Sequence, residues 1–581
     1  MIKLYDTQKR DKCTFTPLHD KEIRMYVCGP TVYNYVHIGN ARTFVSFDVI
    51  RRYLAWRGYA VRFVSNITDV DDKIIARAAE EHKSASEIAQ FYTQAFIKDM
   101  HALHVLDPDI RPKATQEIPE MIEFIESLIS GGHAYVSAGD VYFSVRSLEE
   151  YGALSHKNID ELESGHRQLR FDTSHQGKRD DADFALWKEA KPGEPAWESP
   201  WGLGRPGWHL ECSAMTRKYL GYPFDIHGGG CDLIFPHHEN ERAQAIAAYH
   251  TGFANYWLHT GMLQINSEKM SKSLGNFLLL RTILETVDAN DLRFLMLQAH
   301  YRSSLDFSDD ALEGAKTALA RIKNTVSTLT WICDAQQENG TGGERGGADV
   351  GANGAGAGAG AGAGSDANAG ERSTVNTRHD AAQNNNAHDD AAQDDAAQQS
   401  AALVREREAF LSAFRDAMDD DFNTPKALGV IFDYCGVLNT IAHQVECANA
   451  PHQQLQVSID ALKEIMNVLG ISNDAFESAD DHYVHADKLV ALAETLAREL
   501  EAEGEGAADG AAENTAQHAA QGVPQTSFAN AQEAADYVLE VRAQARRNKC
   551  WQRADAIRDQ LKELGYCIED TPQGARLIHE S

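Results

Sequence analysis

The sequence predicts an α/β Rossmann-like domain carrying an inserted module, followed by an α-helical bundle and a small C-terminal α+β domain. Three observations carry this expectation. Strand-like and helix-like patterns alternate from Arg24 to about residue 107. The alternation breaks between about 115 and 200 and resumes at Phe224. After Asp306 the pattern turns helical. At 581 residues the chain exceeds the roughly 100–200 residues of one domain, and its 43% hydrophobic content is enough to fill several cores.

Ile23–Val27 reads as a short buried strand, ended by Cys28-Gly29-Pro30. Thr43 to Trp56 carries apolar residues at helical spacing, and Gly58 suits the end of that helix. Tyr59 to Ser65 is the next strand. Strand, helix, strand in this order is a βαβ unit, which implies a parallel sheet with a right-handed crossover. Val141–Val145 reads as a strand of the inserted module, which also contains the charged, Pro- and Trp-rich tract Lys178 to Pro200. The sheet resumes with Phe224–His227 ahead of Gly228-Gly229-Gly230, and a helix is expected from Glu239 to about His250. Ala402 to Leu469 has helical periodicity, with Asp421-Phe422-Asn423-Thr424-Pro425 as a capping turn. Ala529 to Ser581 reads as two helices and a strand pair around Thr571-Pro572-Gln573-Gly574.

These patterns divide the chain into a first α/β half (1–114), the inserted module (115–200), a second α/β half (201–305), a helical bundle (306–475) and a C-terminal region (476–581). Two low-complexity stretches interrupt the last two. Residues 336–400 contain a Gly-Ala alternation from Gly354 to Gly364 and Asp/Ala/Gln/Asn repeats, and 501–527 is rich in Ala, Glu, Gly and Gln. Neither offers the apolar surface needed to offset chain entropy, so both are expected to be disordered.

No run of roughly 18 apolar residues occurs, so a membrane span is not expected. The start, Met1 to Asp6, lacks the basic-then-apolar layout of a signal peptide. The nine cysteines are scattered and odd in number, which argues against a disulfide framework and for a reducing cytoplasm. The net charge of −31 is wrong for a general nucleic-acid binder. It is also uneven. Acidic residues gather in the low-complexity stretches and between 474 and 505. Arg542, Arg546, Arg547, Lys549, Arg553, Arg558 and Lys562 form a local basic stripe able to hold a phosphate backbone.

Two motifs suit a nucleotide. Lys269-Met270-Ser271-Lys272-Ser273 places two lysines where a loop can close over a triphosphate. His37-Ile38-Gly39-Asn40, between the first strand and its helix, can lie along the same phosphates. A second constellation suits a metal. Cys28 ends the first strand, and Cys212 lies in Gly207 to Met215 (GWHLECSAM). His237 and Glu241 are four apart, so a helix puts them on one face. His238 would share its stripe with Arg242, which cannot be a ligand, so His237 is preferred. Two thiolates, an imidazole and a carboxylate are acceptable to tetrahedral zinc.

The HIGN and KMSKS motifs, in this order and about a Rossmann domain apart, resemble the two signatures of class I aminoacyl-tRNA synthetases. Taken with Cys28 to Tyr33, Thr68 to Lys73, GWHLECSAM, His227 to Gly230 and Phe235 to Glu241, the set resembles the cysteinyl-tRNA synthetase family. The resemblance covers nearly the whole chain outside the two low-complexity stretches. It implies an ATP-dependent ligase that forms cysteinyl-adenylate and passes the cysteinyl group to tRNA(Cys). It implies one zinc ion per chain on Cys28, Cys212, His237 and Glu241, binding the substrate as a thiolate. Serine, with a harder and less acidic hydroxyl, is rejected by such a site. Magnesium accompanies ATP. His37, Asn40, Lys269 and Lys272 are expected to bind ATP and to stabilise charge on its phosphates. Asn40 departs from the family's HIGH pattern and carries no charge. Thr68, Trp208 and His227 resemble residues of the amino-acid pocket. Asp291 to Leu297 resembles the start of the family's helix bundle. Arg546, Trp551, Asp555 and Asp570 resemble anticodon contacts, with the Trp stacking a base. The family implies a monomer in the cytoplasm. The zinc and nucleotide motifs also resemble a ligase of mycothiol assembly, which hands cysteine to an amino sugar and needs no anticodon module.

Overall fold

The computed structural model describes residues 1–159, 177–266, 268–269, 278–341, 379–445, 452–476, 486–506, 528, 531–571 and 574–579. Two compact units emerge. The first comprises Met1–Ala320, Ser412–Ile431 and Glu464–Ala475, and the second Arg321–Leu411, Phe432–Lys463 and Phe476–Ser581.

The first unit is built on a four-stranded parallel sheet in the order Ala254–Thr260, Phe224–Gly230, Glu22–Val27, Ala60–Val64. Ile23, Met25, Tyr26 and Val27 are all fully buried, as a parallel strand covered on both faces requires. Helix Ile38–Trp56 makes the crossover between Glu22–Val27 and Ala60–Val64. It begins five residues earlier than its apolar periodicity indicates, because His37 caps it. The His37 backbone is extended and its Nδ1 accepts from the Asn40 amide at 3.2 Å, so the HIGN motif is the first turn of the helix. The strand Phe224–Gly230 likewise runs through the three glycines rather than stopping at His227.

The inserted segment contributes helix Ile118–Ser130 and an antiparallel sheet of Ala134–Ser137, Asp140–Phe143, Phe184–Glu189 and Gly204–Pro206. The last of these strands lies beyond residue 200. Buried Asp183 ties the module together, accepting from Tyr135 Oη at 2.6 Å and from the Val145 amide at 2.9 Å. A small sheet beside the main one pairs Leu263–Ile265 with Glu268–Lys269 antiparallel and with Leu305–Phe307 in parallel.

The second unit is helical and ends in the hairpin Tyr566–Thr571 with Gly574–His579. Leu489, Leu496, Val538, Ile557, Leu561 and Tyr566 form a core of its own. The expectation of disorder needs correction at its edges. Helix Asp309–Thr341 runs into residues 336–341, helix His379–Asp419 starts well before 400, and helix Ala486–Gly506 takes in 501–506. Each extends a helix anchored by buried residues, such as Leu329 and Ile332 or Phe410 and Phe414. Ala, Gln and Glu continue a helix at little cost once it is nucleated. Residues 342–378 and 507–527 lie outside the described residues. No helix among the described residues is long and apolar enough to cross a membrane.

Candidate metal and nucleotide site

The parallel strands end at one crevice, where α/β sheets bind ligands. Cys28 directly follows strand Glu22–Val27. Gly29 must be glycine, since a Cβ there would lie 1.6 Å from the Asn66 carbonyl oxygen. Helix Trp208–Tyr219 delivers Cys212, and the turn Ile234–His238 followed by helix Glu239–Tyr249 delivers His237 and Glu241. One ligand atom from each of Cys28, Cys212, His237 and Glu241 falls within a 4.8 Å sphere of mutual distances, and all four residues are buried. Cys28 Sγ is 3.7 Å from Cys212 Sγ and 3.4 Å from Glu241 Oε1. Cys212 Sγ is 3.7 Å from His237 Nε2, which is 2.8 Å from Glu241 Oε1. Zinc bonds of 2.0–2.3 Å in a tetrahedron put ligand atoms about 3.3–3.8 Å apart, so the donor set fits the ion in chemistry and nearly in spacing.

Cys28 and Glu241 also belong to a second such set with His227 and His238. Here the sequence reading of His238 is corrected. His238 does not share a surface stripe with Arg242. It is fully buried, its Nε2 is 3.3 Å from Cys28 Sγ, and its Nδ1 meets His259 Nε2 at 2.8 Å. Arg242 instead pairs with Glu150 at 2.9 Å. Both residues follow the extended Phe235 (φ −141°, ψ 131°) on one helical run, and both are buried, so an arginine one turn on does not keep His238 out of the cluster.

The electrostatics are those of a cavity short of cations. Glu241 is fully buried, and among the described residues no lysine or arginine forms an ion pair with it. Burial opposes its charged form, yet His227 and His237 hold its carboxyl well below the usual range. Burial also opposes the His237 imidazolium, but Glu241 and Cys212 outweigh it and push the pKa up to about 10. Burial, then contact with Cys212, pushes the Cys28 thiol well above its ordinary value. A divalent metal bonded to that sulfur therefore displaces a proton.

Thr68, Trp208 and His227, the residues expected to line an amino-acid pocket, adjoin this cluster. The half-buried Trp208 ring stacks on His237 with centroids 4.1 Å apart, and His209 Nδ1 lies 3.0 Å from His237 Nδ1. Thr68 Oγ1 donates to Glu211 Oε2 at 2.7 Å. Glu211 is fully buried, burial pushes its pKa well above the carboxylate range, and its Oε1 has no hydrogen-bond partner among the described residues. His227 lies deeper than a pocket lining. It is fully buried, stacked on Tyr26, with Nε2 3.1 Å from Glu241 Oε2. Sequence reasoning passed over His209, Glu211 and His259, and set His238 aside. Glu211 had a signal, since Trp208, Glu211 and Cys212 are spaced i, i+3, i+4 on one helix. His259 had none.

Of the nucleotide motifs, His37 and exposed Asn40 open helix Ile38–Trp56. Lys269 lies by its backbone in a strand opposite Gln264. Lys272 lies outside the described residues. In the second unit, exposed Arg546 ends helix Ala531–Arg547, and Trp551 opens helix Trp551–Glu563 with 58% of its surface exposed. Asp555, one turn on, pairs with Arg558 at 3.0 Å. Asp570 is placed by its backbone in the terminal hairpin, opposite Ala575.

The fold has solved counterparts. The structure of Mycobacterium tuberculosis methionyl-tRNA synthetase with methionyl-adenylate superimposes with a TM-score of 0.52 at 16% identity, over 77% of this chain and 89% of that one. The LeuRS of Agrobacterium radiobacter K84 in its complex with tRNA gives 0.52 at 10% identity, over 78% and 85%. These likenesses define a class I aminoacyl-tRNA synthetase fold. Family models narrow it. Residues 14–317 match the class I (C) tRNA synthetase catalytic domain, 413–473 the DALR domain, and 530–576 the cysteinyl-tRNA ligase anticodon binding domain. The cysteine--tRNA ligases of Thermococcus gammatolerans and Heliobacterium modesticaldum are 39% and 40% identical to this chain, over 99% of it and 98% and 99% of their own lengths. The chain belongs to the cysteinyl-tRNA synthetase family.

Proposed function

We propose that this chain is a cysteine–tRNA ligase: it activates L-cysteine with ATP to cysteinyl-adenylate and pyrophosphate, and transfers the cysteinyl group to the 3′ end of tRNA(Cys). The observation that carries this is the buried convergence of two thiols, an imidazole and a carboxylate beside the helix that HIGN opens. Cys28, Cys212, His237 and Glu241 would hold the ion. A zinc ion there supplies a soft centre that favours a thiolate over a hydroxyl.

The rest is done by the chain. Trp208 fixes the His237 ring from one face, and His209 holds its second nitrogen, as ligating imidazoles usually require. Thr68, oriented by Glu211, presents its hydroxyl to the amino acid, and His227 backs the cluster through Glu241. ATP enters as its magnesium complex. The cysteine carboxylate attacks the α-phosphate, and negative charge grows on the phosphate oxygens. His37, Lys269 and Lys272 meet that charge, with Asn40 as a neutral donor. No general base is needed for a carboxylate nucleophile. Arg546, Trp551, Asp555 and Asp570 read the anticodon, by stacking and by hydrogen bonds to an unpaired base. The chain works through a catalytic region (1–114 and 201–305), a connective module (115–200), a helical bundle (306–475) and an anticodon region (476–581). It acts as a cytoplasmic monomer. All eight described cysteines are free thiols, which supports a reducing compartment.

The test is ATP–pyrophosphate exchange with cysteine and with serine, followed by acylation of tRNA. Exchange with cysteine but not serine, lost on chelation and restored by zinc, is the expected result. Equal discrimination by metal-free protein would refute the role given to the cluster. Exchange without tRNA charging would indicate a small-molecule acceptor instead.

A further inference from the structure

Arg42 stands in the second turn of the helix that begins with HIGN. Its side chain is buried, with 1% of the residue exposed. Among the described residues no carboxylate forms an ion pair with it. Its guanidinium instead donates to four main-chain carbonyls. Nη1 reaches Gly261 O at 3.1 Å and Met262 O at 2.9 Å, and Nη2 reaches His300 O at 3.2 Å and Ser303 O at 2.5 Å. A buried cation without a counterion is costly, and survives only where fixed dipoles replace its water. Burial lowers its pKa only to about 10, so it stays charged at neutral pH. Arginine alone among side chains offers a planar fork able to bind four acceptors at once.

The four carbonyls are in an informative place. Gly261 and Met262 immediately precede strand Leu263–Ile265, which pairs with the strand containing Lys269. His300 and Ser303 lie just before Leu305–Phe307, the parallel neighbour of Leu263–Ile265. Arg42 thus holds the N-terminal end of the strand that pairs with the Lys269 strand, and that of its other neighbour in the same sheet. The far end of the same stretch is tied to HIGN by the backbone. The Ile38 amide donates to Leu278 O at 3.1 Å and the Leu280 amide to Val36 O at 2.9 Å. The residues on either side of this stretch are therefore tied to the first helix, Leu278 and Leu280 by main-chain bonds and Gly261 and Met262 by one side chain.

We propose that Arg42 is a positioning residue for the activation step: it sets the placement of the Lys269-bearing strand relative to His37. This rests on the proposed ligase activity. Displacing a catalytic cation by about 1 Å can cost on the order of 10²-fold in rate. That loss belongs to the step in which charge grows on phosphate. The cysteine pocket and the transfer step depend on other elements.

The experiment compares wild type, Arg42→Gln and Arg42→Lys in ATP–pyrophosphate exchange, and in single-turnover transfer from preformed cysteinyl-adenylate to tRNA. Melting temperature and metal content are measured alongside. Arg42→Gln is expected to lower exchange kcat by about 10²-fold, with KM for cysteine, metal content and transfer rate within about threefold of wild type. Arg42→Lys, which keeps the charge but not the fork, is expected to fall between. If Arg42→Gln does not fold, Gly261→Ala applies the same displacement with Arg42 intact, because its Cβ would meet Ser303 O at 2.3 Å; the same split between activation and transfer is expected. Unchanged exchange in the folded variants, or equal loss of activation and transfer, overturns the proposal. A wild-type protein with no cysteine-dependent exchange would refute the ligase reading itself.

Discussion

Glu211 and Thr68 meet across 143 residues of sequence through a 2.7 Å hydrogen bond, and the chemistry of that bond can be tested directly. Burial pushes the Glu211 carboxyl well above its ordinary pKa, and in this bond the carboxyl acts as an acceptor for the Thr68 hydroxyl. Glutamine offers the same carbonyl acceptor in nearly the same volume. Glu211→Gln should leave KM for cysteine within about threefold of wild type, because the acceptor is conserved. Glu211→Ala leaves the Thr68 O–H without its acceptor, worth about 1–3 kcal/mol, and should raise KM for cysteine by roughly tenfold or more while metal content holds. Equal damage from both variants would mean that a negative charge, not an acceptor, is required there. This contact shows the limit of a one-dimensional reading. Cys28, Cys212, His237 and Glu241 were legible because thiols and a His–Glu pair are conspicuous by type and spacing. A buried Glu–Thr bond, or an arginine on four carbonyls, is defined only by what the fold brings near it.

Helices and strands tell a similar story with a different cause. The parallel sheet was legible because its strands are short apolar runs and its crossover helix keeps a clean period. The helix start was not, because the cap is His37 itself and Gly39 conceals the first turn. His238 was misassigned because the stripe it shares with Arg242 is buried, and the arginine one turn on does not keep the imidazole from Cys28. In the C-terminal region two helices and a hairpin were readable from periodicity and from the Pro-Gln-Gly turn. Between those helices, Lys549 has φ +59° and the Cys550 amide bonds back to Ala545 O at 2.8 Å. That turn leaves Trp551 as the exposed first residue of its helix. A large aromatic 58% exposed supports no core, so its removal tests binding with little effect on stability. Base–aromatic stacking is worth about 1–3 kcal/mol. Trp551→Ala should therefore weaken tRNA binding by about tenfold, with exchange and melting temperature unchanged. A lower melting temperature with unaltered tRNA affinity would show that the ring serves packing.

For the molecule as a whole, the net charge of −31 and the tRNA substrate look opposed until the chain is taken in parts. Each of the two units has its own core, and the metal cluster belongs to only one. Cys28 and Cys212 are members of the buried cluster that includes Tyr26, Leu210, Phe224 and Trp257, whereas the core around Leu489 and Val538 contains no candidate ligand. A ligand that binds only the folded state stabilises it by about 2.7 kcal/mol at a hundred times its dissociation constant. Metal removal also takes a divalent charge from beside the buried Glu241 carboxylate, a further loss for the first unit. Scanning calorimetry should therefore resolve two transitions. A chelator should move the first unit's transition down by several degrees, leave the other in place, and be reversed by added zinc. Cys28→Ala should reproduce the chelated profile without any chelator, since it removes a sulfur from the same core. One transition that shifts as a block would show that the two cores unfold together. Two transitions that both ignore the chelator would remove the metal from the forces holding the catalytic crevice.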